Sequence, residues 1–339
     1  MKVLIATDAW HPQINGVVRT LERLVETLDR LGVAAEVVSP QGRPSLPCPG
    51  YPEIRLGAIS AASVADRFRR SGATDLHVAT EGPVGLAARR ASRHLALGFS
   101  TSFHTRFAEY LAARVPVPID WTYAWLRRFH NAGLSCMVAT ESLRQILAAR
   151  GFLRLDPWSR GVDLDRFRPV PGALPHVPRP VFLSVGRVAV EKNLPAFLDL
   201  DLPGTKVVVG DGPALPALKA AYPSVVFTGS ATGDALAALY SAADVFVFPS
   251  VTDTFGNVIL EALACGVPIA AFPVMGPVDI LGGSRAGVID RDLRAAALGA
   301  LRLSRDCARA HAARFTWEAS ARQFVTNLEH VRRRAGARP

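Results

Sequence analysis

Short runs of β-branched residues alternate with amphipathic helical stretches along most of the chain. In Gly16–Leu31, for example, apolar residues recur at the three- and four-residue spacing of one helix face. A strand followed by a helix, repeated many times, favours a parallel sheet that is covered by helices on both faces. In the first half of the chain, strands are predicted at Val3–Thr7, Glu36–Ser39, Asp75–Val78 and Ser100–His104.

A proline-rich stretch interrupts this pattern and is the best candidate for a linker between domains. Its prolines are Pro169, Pro171, Pro175, Pro178 and Pro180. Beyond it the alternation starts again, and strands are predicted at Val181–Val185, Lys206–Val209, Val225–Thr228, Asp244–Pro249 and Pro268–Phe272. We therefore predict two doubly wound α/β domains of similar size, residues 1–168 and 169–315, followed by a last helix at 316–335.

The composition is that of a globular protein and argues against several other classes. Of the 339 residues, 49% are hydrophobic and 20% are charged, which argues against intrinsic disorder. No apolar run approaches the roughly 20 residues that a bilayer requires, and the apolar start at Met1–Ala6 is too short for a secretory signal. Cys48, Cys136, Cys265 and Cys307 are far apart, so we expect reduced thiols in a cytosolic protein.

The net charge of +10 at pH 7 is unusual, and most of the excess lies in the first half of the chain. Residues 1–170 carry 22 basic and 15 acidic residues. A basic protein attracts nucleic acid, an anionic membrane or an anionic ligand. Because nearly all of the basic residues are Arg, a solubility or genome-composition effect is the alternative. The sequence contains no recognised nucleic-acid-binding motif, so we expect no nucleic-acid partner.

Ligands of open α/β sheets bind beyond the carboxyl ends of the strands, and two of these ends suggest an anion site. After the first strand, Asn15-Gly16 opens a helix whose amides suit an anion. The segment lacks the G-x-G-x-x-G pattern of dinucleotide sites, and a plain turn glycine is the alternative. After Val181–Val185, Arg187 and Lys192 place two cations at a strand end, where they suit a diphosphate leaving group or line a solvated loop.

A third strand end is the most informative. Asp244–Pro249 leads into a loop and then into a helix that starts at Gly256-Asn257-Val258, where free amides again suit phosphate. Two carboxylates flank this point, Asp253 in the loop and Glu261 inside the helix. Carboxylates are poor phosphate ligands, but they accept hydrogen bonds from sugar hydroxyls on either side of a diphosphate. The alternative is a capping loop followed by an exposed glutamate.

The spacing from Asp253 to Glu261, with Ala262–Pro268 after it, resembles the E-x7-E segment of the family 4 glycosyltransferases. These are retaining enzymes of the GT-B fold, and the nearest resemblance is to bacterial lipid-directed members that use GDP-mannose or a UDP-hexose. Further matching segments follow in the same order along nearly the whole chain: Asn15-Gly16-Val17, Ser102–Thr105, Arg160–Asp163, Gly186-Arg187 with Lys192, Gly210–Pro213 and Phe315–Glu318. The resemblance implies two Rossmann-like domains that face a central cleft, with the last helix crossing back to the N-terminal domain.

The resemblance also implies which residues bind the donor nucleotide sugar. These are Gly16, Arg187, Lys192, Asp253, Gly256, Asn257, Val258 and Glu261. Arg187 and Lys192 would hold the diphosphate, and Glu261 would accept hydrogen bonds from the ribose hydroxyls. The second domain would therefore bind the nucleotide sugar, and the first would bind the acceptor.

Four residues would act in catalysis by the same resemblance: Arg187, Lys192, Asp253 and His104. Asp253 would hold hydroxyls of the transferred sugar, and His104 would lie beside the reacting centre. A strand-end histidine that is part of the core is the alternative for His104. Asp253 departs from the family pattern, which more often has Glu there, and this leaves the identity of the sugar open.

The implied reaction transfers a hexosyl group, mannose, glucose or glucuronate, from an α-linked GDP- or UDP-sugar to give an α-linkage. The acceptor hydroxyl would attack from the front face, and the departing diphosphate would take its proton. No metal and no other cofactor is expected. The Asp-x-Asp triplets at Asp163–Asp165 and Asp199–Asp201 lie outside the donor motifs, so activity should survive EDTA.

Mixed basic and aromatic segments in the first half suit the interface of a bilayer. Arg67, Arg69 and Arg70 flank Phe68, and Arg127-Arg128 follow Trp121, Tyr123, Trp125 and Leu126. We therefore expect a cytoplasmic enzyme attached peripherally to the inner face of the membrane by its N-terminal domain, with a lipid acceptor. A soluble sugar acceptor, a sugar-nucleotide epimerase of the same fold and a non-catalytic binder are the alternatives.

Overall fold

The computed structural model describes residues 1–13, 15–42, 44–48, 51–112, 117–171, 173–174 and 176–337. Contacts between residues divide the chain into two units. Unit 1 comprises Met1–Arg160 and Trp317–Pro339, and unit 2 comprises Gly161–Thr316. Pro175, one of the prolines of the predicted linker, lies outside the described residues.

Unit 1 is built on a parallel sheet of six strands. The strands of this unit are β1 (Lys2–Ala6), β2 (Ala34–Val38), β3 (Ser45–Cys48), β4 (Tyr51–Gly57), β5 (Asp75–Val78), β6 (Phe99–Phe103), β7 (Ser135–Val138) and β8 (Leu155–Pro157). The parallel sheet has the order β2-β1-β5-β6-β7-β8, and β3 and β4 form a separate antiparallel pair. Strands β1, β5, β6 and β7 are almost entirely buried, as expected for a sheet with helices on both faces.

The first six helices follow these strands. They are α1 (Gly16–Arg30), α2 (Ala61–Ser71), α3 (Pro83–His94), α4 (Phe107–Ala112), α5 (Ile119–His130) and α6 (Glu141–Ala149). Helix α1 begins directly after Asn15, whose side-chain oxygen accepts hydrogen bonds from the amides of Val17 and Val18 at 3.0 Å. One side chain therefore satisfies two of the amides that a helix start leaves unpaired.

Removal of this cap has a measurable consequence. Asn15→Ala is expected to lower the free energy of unfolding of unit 1 by about 1 kcal/mol, because two amides lose their acceptor. Asn15→Ser keeps an accepting oxygen at the cap and is the matched control. Chemical denaturation followed by circular dichroism measures the difference, and an unchanged midpoint for Asn15→Ala would contradict it.

Unit 2 repeats the parallel six-stranded design. Its strands are β9 (Val181–Val185), β10 (Thr205–Val209), β11 (Val226–Gly229), β12 (Val245–Phe248), β13 (Ile269–Ala271) and β14 (Gly287–Ile289). The order is β11-β10-β9-β12-β13-β14, which is the Rossmann order counted from β9. The direction of the strand order reverses between β9 and β12, the place where doubly wound sheets bind ligands.

The helices of unit 2 are short. They are α7 (Pro195–Leu198), α8 (Leu215–Ala221), α9 (Gly233–Ala242), α10 (Asn257–Ala264), α11 (Pro277–Leu281), α12 (Leu293–Ala300) and α13 (Arg305–Ala312), and one 3-10 turn lies at Val190–Lys192. Phe182, Val208 and Val245 from the sheet pack with Phe197 and Ala297 from the helices in one buried cluster.

The last helix, α14 (Trp317–Gly336), belongs to unit 1. Its Phe324 and Leu328 are buried with Leu21 and Leu24 of α1 in one apolar cluster. Polar contacts add to this packing, since the Asn327 side-chain amide donates to the Pro157 carbonyl at 2.8 Å. The chain therefore leaves unit 1 at Arg160, builds unit 2 and returns to unit 1 with α14.

Candidate functional site

The loops that follow β9 and β12 meet at the point where the strand order reverses. The Asn193 side-chain amide donates to the carbonyl of Pro249 at 3.1 Å. The Thr252 hydroxyl donates to the carbonyl of Glu191 at 3.2 Å. These bonds join two loops that are about sixty residues apart in sequence, so the predicted site residues on both loops belong to one local structure.

Lys192 and Asp253 are in direct contact at this point. The Lys192 ammonium lies 2.6 Å from Oδ1 of Asp253. The other carboxylate oxygen, Oδ2, is buried and has no hydrogen-bond partner among the residues that the structure describes. A buried carboxylate oxygen without a donor is costly, and a ligand hydroxyl would satisfy it. An ammonium group is also a donor that suits phosphate oxygens.

Arg187 lies on the same loop as Lys192. Its Nη1 atom is 4.0 Å from Oε1 of Glu191, one helical turn further along the chain. The loop after β9 therefore presents two cations, each of which has a carboxylate nearby. Sequence reasoning did not single out Glu191, although the four-residue spacing between Arg187 and Glu191 is a recognisable ion-pair signal.

The glycines of Gly210-Asp211-Gly212-Pro213 allow a second loop to pack against the Arg187 loop. The amide of Val188 donates to the carbonyl of Asp211 at 2.9 Å. An added Cβ at Gly210 would lie 1.8 Å from the carbonyl oxygen of Gly186, and one at Gly212 would lie 2.3 Å from that of Val188. Only glycine fits at these contacts, which fix the backbone on both sides of Arg187.

Helix α10 begins after the loop that follows β12. Gly256 is its cap residue, with a φ of +91°, and an added Cβ would lie 3.0 Å from Ile259 and 3.1 Å from Phe248. Glycine is required here by conformation and by space. Since Gly256 has no side chain that could accept a hydrogen bond, the amides of Asn257 and Val258 receive no side-chain cap. Such a helix start suits a phosphate oxygen.

Glu261 lies on α10 and is only 9% exposed. The hydroxyl of Tyr240, a fully buried residue of α9, donates to Oε2 of Glu261 at 2.9 Å. The alternative of an exposed glutamate on a capping helix is therefore wrong. Tyr240 is a second site residue that the sequence analysis missed. In the sequence it is an aromatic residue of a helix, and nothing distinguishes it from an ordinary core residue.

Gly16 and His104, the remaining predicted site residues, lie in unit 1 at the carboxyl ends of β1 and β6. Gly16 is the first residue of α1, and nothing lies within 4 Å of the position that a Cβ would take there. The following amides of Val17 and Val18 are occupied by Asn15. Helix α1 therefore begins with a side-chain cap.

His104 is held by polar groups on both sides of its ring. Nε2 is 2.8 Å from the Ser102 hydroxyl, and Nδ1 is 3.2 Å from Nη2 of Arg160. Because a guanidinium only donates, Nδ1 accepts and the ring proton lies on Nε2. Burial and the charge of Arg160 hold the pKa of His104 well below its usual value. The side chain is therefore a neutral imidazole near pH 7.

Arg160 itself is buried, and burial lowers its pKa to about 9. The guanidinium lies over the ring of Trp158, 4.3 Å from its centre, and donates to the Trp158 carbonyl. The sequence marked Arg160 only as part of a family segment. The structure assigns it a place next to His104.

The comparison with known proteins agrees with this arrangement of motifs. Residues 14–166 match the family model described as Glycosyltransferase Family 4, and residues 179–306 match the model described as Glycosyl transferases group 1. A GDP-mannose-dependent alpha-mannosyltransferase of Mycolicibacterium smegmatis is 32% identical over 324 residues, which cover 85% of this chain and 84% of that relative. The chain is a family 4 glycosyltransferase. The predicted family is therefore confirmed.

A second relative and a solved structure are also similar to this family 4 glycosyltransferase. An alpha-monoglucosyldiacylglycerol synthase of Streptococcus pneumoniae is 25% identical, with 80% of this chain and 71% of that relative covered. The Anabaena protein HepE, solved with UDP and glucose, superposes with a TM-score of 0.72 at 15% identity and covers 97% of this chain and 99% of that one. The two Rossmann-like units have the GT-B fold, and the predicted fold class is confirmed.

Most of the aromatic residues predicted to contact the membrane lie on α5, which has an exposed face and a buried face. Trp121 and Trp125 are 72% and 43% exposed, whereas Tyr123 and Leu126 are buried in unit 1. On α2, Arg69 forms an ion pair with Asp66 at 3.1 Å. In the part of the chain that the structure describes, no helix is both long enough and apolar enough to span a membrane.

The Asp-x-Asp triplets have local partners. Asp163 accepts hydrogen bonds from the amides of Asp165 and Arg166, and Asp199 accepts one from the hydroxyl of Tyr222 at 2.6 Å. Across the described ranges, no group of three or more His, Cys, Asp or Glu side chains is arranged to hold a metal ion.

Proposed function

We propose that this glycosyltransferase transfers mannose from GDP-mannose to a hydroxyl of a lipid, with retention of the α-configuration. The observation that carries the proposal is the contact between Lys192 and the half-satisfied carboxylate of Asp253 at the strand-order reversal of unit 2. This contact supports the proposal, because a cation that would bind a diphosphate lies beside an oxygen that would accept a hydrogen bond from a sugar hydroxyl. The name of the Mycolicibacterium relative supports GDP-mannose as the donor.

We propose partners in unit 2 for the diphosphate, the mannose and the ribose of the donor. Arg187 and Lys192 would bind the diphosphate, and the uncapped amides of Asn257 and Val258 would donate to it. Oδ2 of Asp253 would accept a hydrogen bond from a mannose hydroxyl. Glu261, fixed by Tyr240, would accept from the ribose.

The proposed step breaks the bond between C1 of mannose and the oxygen of the diphosphate, and forms a bond between C1 and the acceptor oxygen. The proton of the acceptor hydroxyl moves to the departing diphosphate, so no protein base is required. Charge grows on the leaving group as its bond breaks, and Arg187 and Lys192 stabilise it there. These two side chains supply the positive charge that a metal supplies in other transferases, so we propose a metal-independent reaction. For His104 we propose a catalytic role as a neutral imidazole.

The lipid acceptor is supported by the name of the Streptococcus pneumoniae relative, a diacylglycerol glycolipid synthase. The exposed indoles of Trp121 and Trp125 are of the kind found at bilayer interfaces. Arg127 and Arg128 lie on the same helix, and each arginine near an anionic surface contributes about 1 kcal/mol to binding. We therefore propose peripheral attachment to the inner face of the cytoplasmic membrane.

A titration with nucleotides tests the donor assignment. GDP and GDP-mannose are expected to raise the melting temperature, because a ligand at a hundred times its Kd adds about 2.7 kcal/mol of stability. UDP, ADP, UDP-glucose, UDP-glucuronate and UDP-N-acetylglucosamine serve as controls, and all titrations contain EDTA. Stabilisation by UDP compounds alone would reject GDP-mannose, and stabilisation by none of the ligands would reject the donor site.

The acceptor is tested once the donor is known. Mannose from labelled GDP-mannose is expected in the organic phase after incubation with diacylglycerol vesicles. Transfer only to a water-soluble sugar would reject the lipid acceptor and leave the donor assignment intact.

A further inference from the structure

We propose that unit 1 carries a second binding site, which takes a phosphate group attached to an apolar moiety. The site is a cavity of about 510 Å³ between the C-terminal part of α3 and the starts of β6 and β7. Its lining includes the polar residues Arg89, Ser92 and Arg93 and the apolar residues Leu97, Phe99 and Leu134. The volume is within the range of small-molecule sites, about 300 to 1,000 Å³.

The cavity lies away from the predicted catalytic residue of unit 1. Phe99 is the first residue of β6, and Leu134 directly precedes β7, so the cavity is at the amino ends of the parallel strands. His104 follows the carboxyl end of β6. Because the two ends of a parallel sheet are opposite edges, the cavity and His104 are on opposite edges of unit 1.

Arg89 is the central residue of the proposed site. Its Cζ atom lies 5.7 Å from the centre of the Phe129 ring, so the guanidinium is held in place by an aromatic side chain. Its Nε atom is buried and has no hydrogen-bond partner among the described residues. A buried N–H donor that is fixed in position and lacks an acceptor is a group that an incoming anion satisfies.

Three other arginines add positive charge around Arg89. Burial, together with the charges of Arg93, Arg128 and Arg90, lowers the pKa of Arg89. None of these four side chains forms an ion pair with another residue in the described ranges. Four like charges that repel one another without a counter-charge favour the binding of an anion.

In the part of the chain that the structure describes, two other arginines of unit 1 are paired with carboxylates, unlike Arg89 and the three arginines around it. Arg334 donates to the carbonyl of Leu134 at the cavity wall and to both oxygens of Asp156. Arg332 is bound to Asp75. The last turn of α3 is a favourable place for a cation, and this explains Arg93 but not Arg89, which lies more than one turn earlier.

The lining combines two guanidinium groups with apolar side chains, and this combination selects the chemistry of the ligand. Arginine matches the geometry of phosphate oxygens, and Leu97 and Phe99 would contact carbon attached to the phosphate. A phospholipid headgroup and a free phosphate compound both have this chemistry. Trp125 is 43% exposed and its ring centre lies 6.1 Å from that of Phe129, which places an interfacial residue near Arg89.

The test compares the double variant Arg89→Gln/Arg93→Gln with the control Arg144→Gln/Arg322→Gln. The control removes the same charge from two exposed arginines of unit 1 that are paired with Glu141 and Glu318. Two probes are used with the full chain: inorganic phosphate, by isothermal titration, and vesicles of equimolar phosphatidylglycerol and phosphatidylcholine, by co-sedimentation. Arg93→Gln alone, which leaves Arg89 on Phe129, is measured in parallel, and melting temperatures establish that each variant is folded.

We expect saturable binding of at least one probe by the wild-type chain, at least about tenfold weaker binding by the double variant, and binding within about twofold of wild type by the control. Binding of phosphate alone identifies a free phosphate compound, and binding of vesicles alone identifies a lipid headgroup. Absence of wild-type binding to both probes, or equal losses in the double variant and the control, would overturn the proposal. None of these outcomes depends on the donor site in unit 2.

Discussion

Lys192→Ala is expected to lower the turnover number of mannosyl transfer by at least about a hundredfold, because loss of one contact to the developing charge adds about 3 kcal/mol to the barrier. Lys192 donates to Asp253 in the structure, and we propose that its ammonium also donates to the leaving diphosphate. The charge on the diphosphate is greater in the transition state than in the bound donor. The loss is therefore expected in kcat rather than only in KM.

Two further variants separate the chemical role from a structural one. Lys219→Ala removes an exposed lysine from α8 of the same unit and is expected to leave turnover unchanged. Lys192→Arg keeps the charge next to Asp253 and is expected to retain more activity than Lys192→Ala. Steady-state kinetics with labelled GDP-mannose give kcat, and circular dichroism establishes the fold. Turnover equal to that of the wild type in a folded Lys192→Ala chain would reject the role.

Asp253→Ala is expected to lower kcat/KM for GDP-mannose by about ten- to a hundredfold, because a hydrogen bond to a charged group contributes about 1.5 to 3 kcal/mol. Oδ2 of Asp253 is the buried oxygen without a partner, and the proposal gives it a sugar hydroxyl. GDP lacks the mannose that would make this contact, so its Kd is expected to change little. The comparison of GDP with GDP-mannose thus assigns the effect to the sugar.

The control for this residue is Asp234→Ala, at the start of α9 in the same unit. Equal weakening of GDP and GDP-mannose by Asp253→Ala would mean that Asp253 acts through Lys192 and not on the sugar. A double variant of Lys192 and Asp253 is informative as well. Since the two side chains are in contact, we expect the double loss to be smaller than the product of the single losses.

Two strands have the predicted bounds, Asp75–Val78 and Val181–Val185. Val181–Val185 is apolar except for Ser184, as is typical of a strand that is buried on both faces. Asp75–Val78 was predicted although Asp75 and His77 interrupt its apolar residues. Leu155–Pro157 and Gly287–Ile289 were not predicted, because three residues at a sheet edge are too short to show a period. The pair β3 and β4 was also missed, since Pro47 argues against a strand.

The candidate site was predictable residue by residue but not as a set of contacts. The sequence placed Lys192 and Asp253 at two strand ends, and only the strand order shows that β9 and β12 are neighbours. The bond between them joins residues 61 positions apart. Trp317 shows a second limit: it is apolar and is the first residue of the last helix, yet it is only partly buried, so apolar character alone does not identify a core residue.

Unit 1 is assembled from two segments that lie on either side of unit 2 in the sequence, and this sets an order for folding during synthesis. Phe324 and Leu328 fill the cluster around α1, but they are translated after the whole of unit 2. All six strands of unit 2 are translated before them, so unit 2 can complete its sheet while unit 1 still exposes an apolar groove beside α1. A chain released before residue 317 would therefore have one finished domain and one that lacks part of its core.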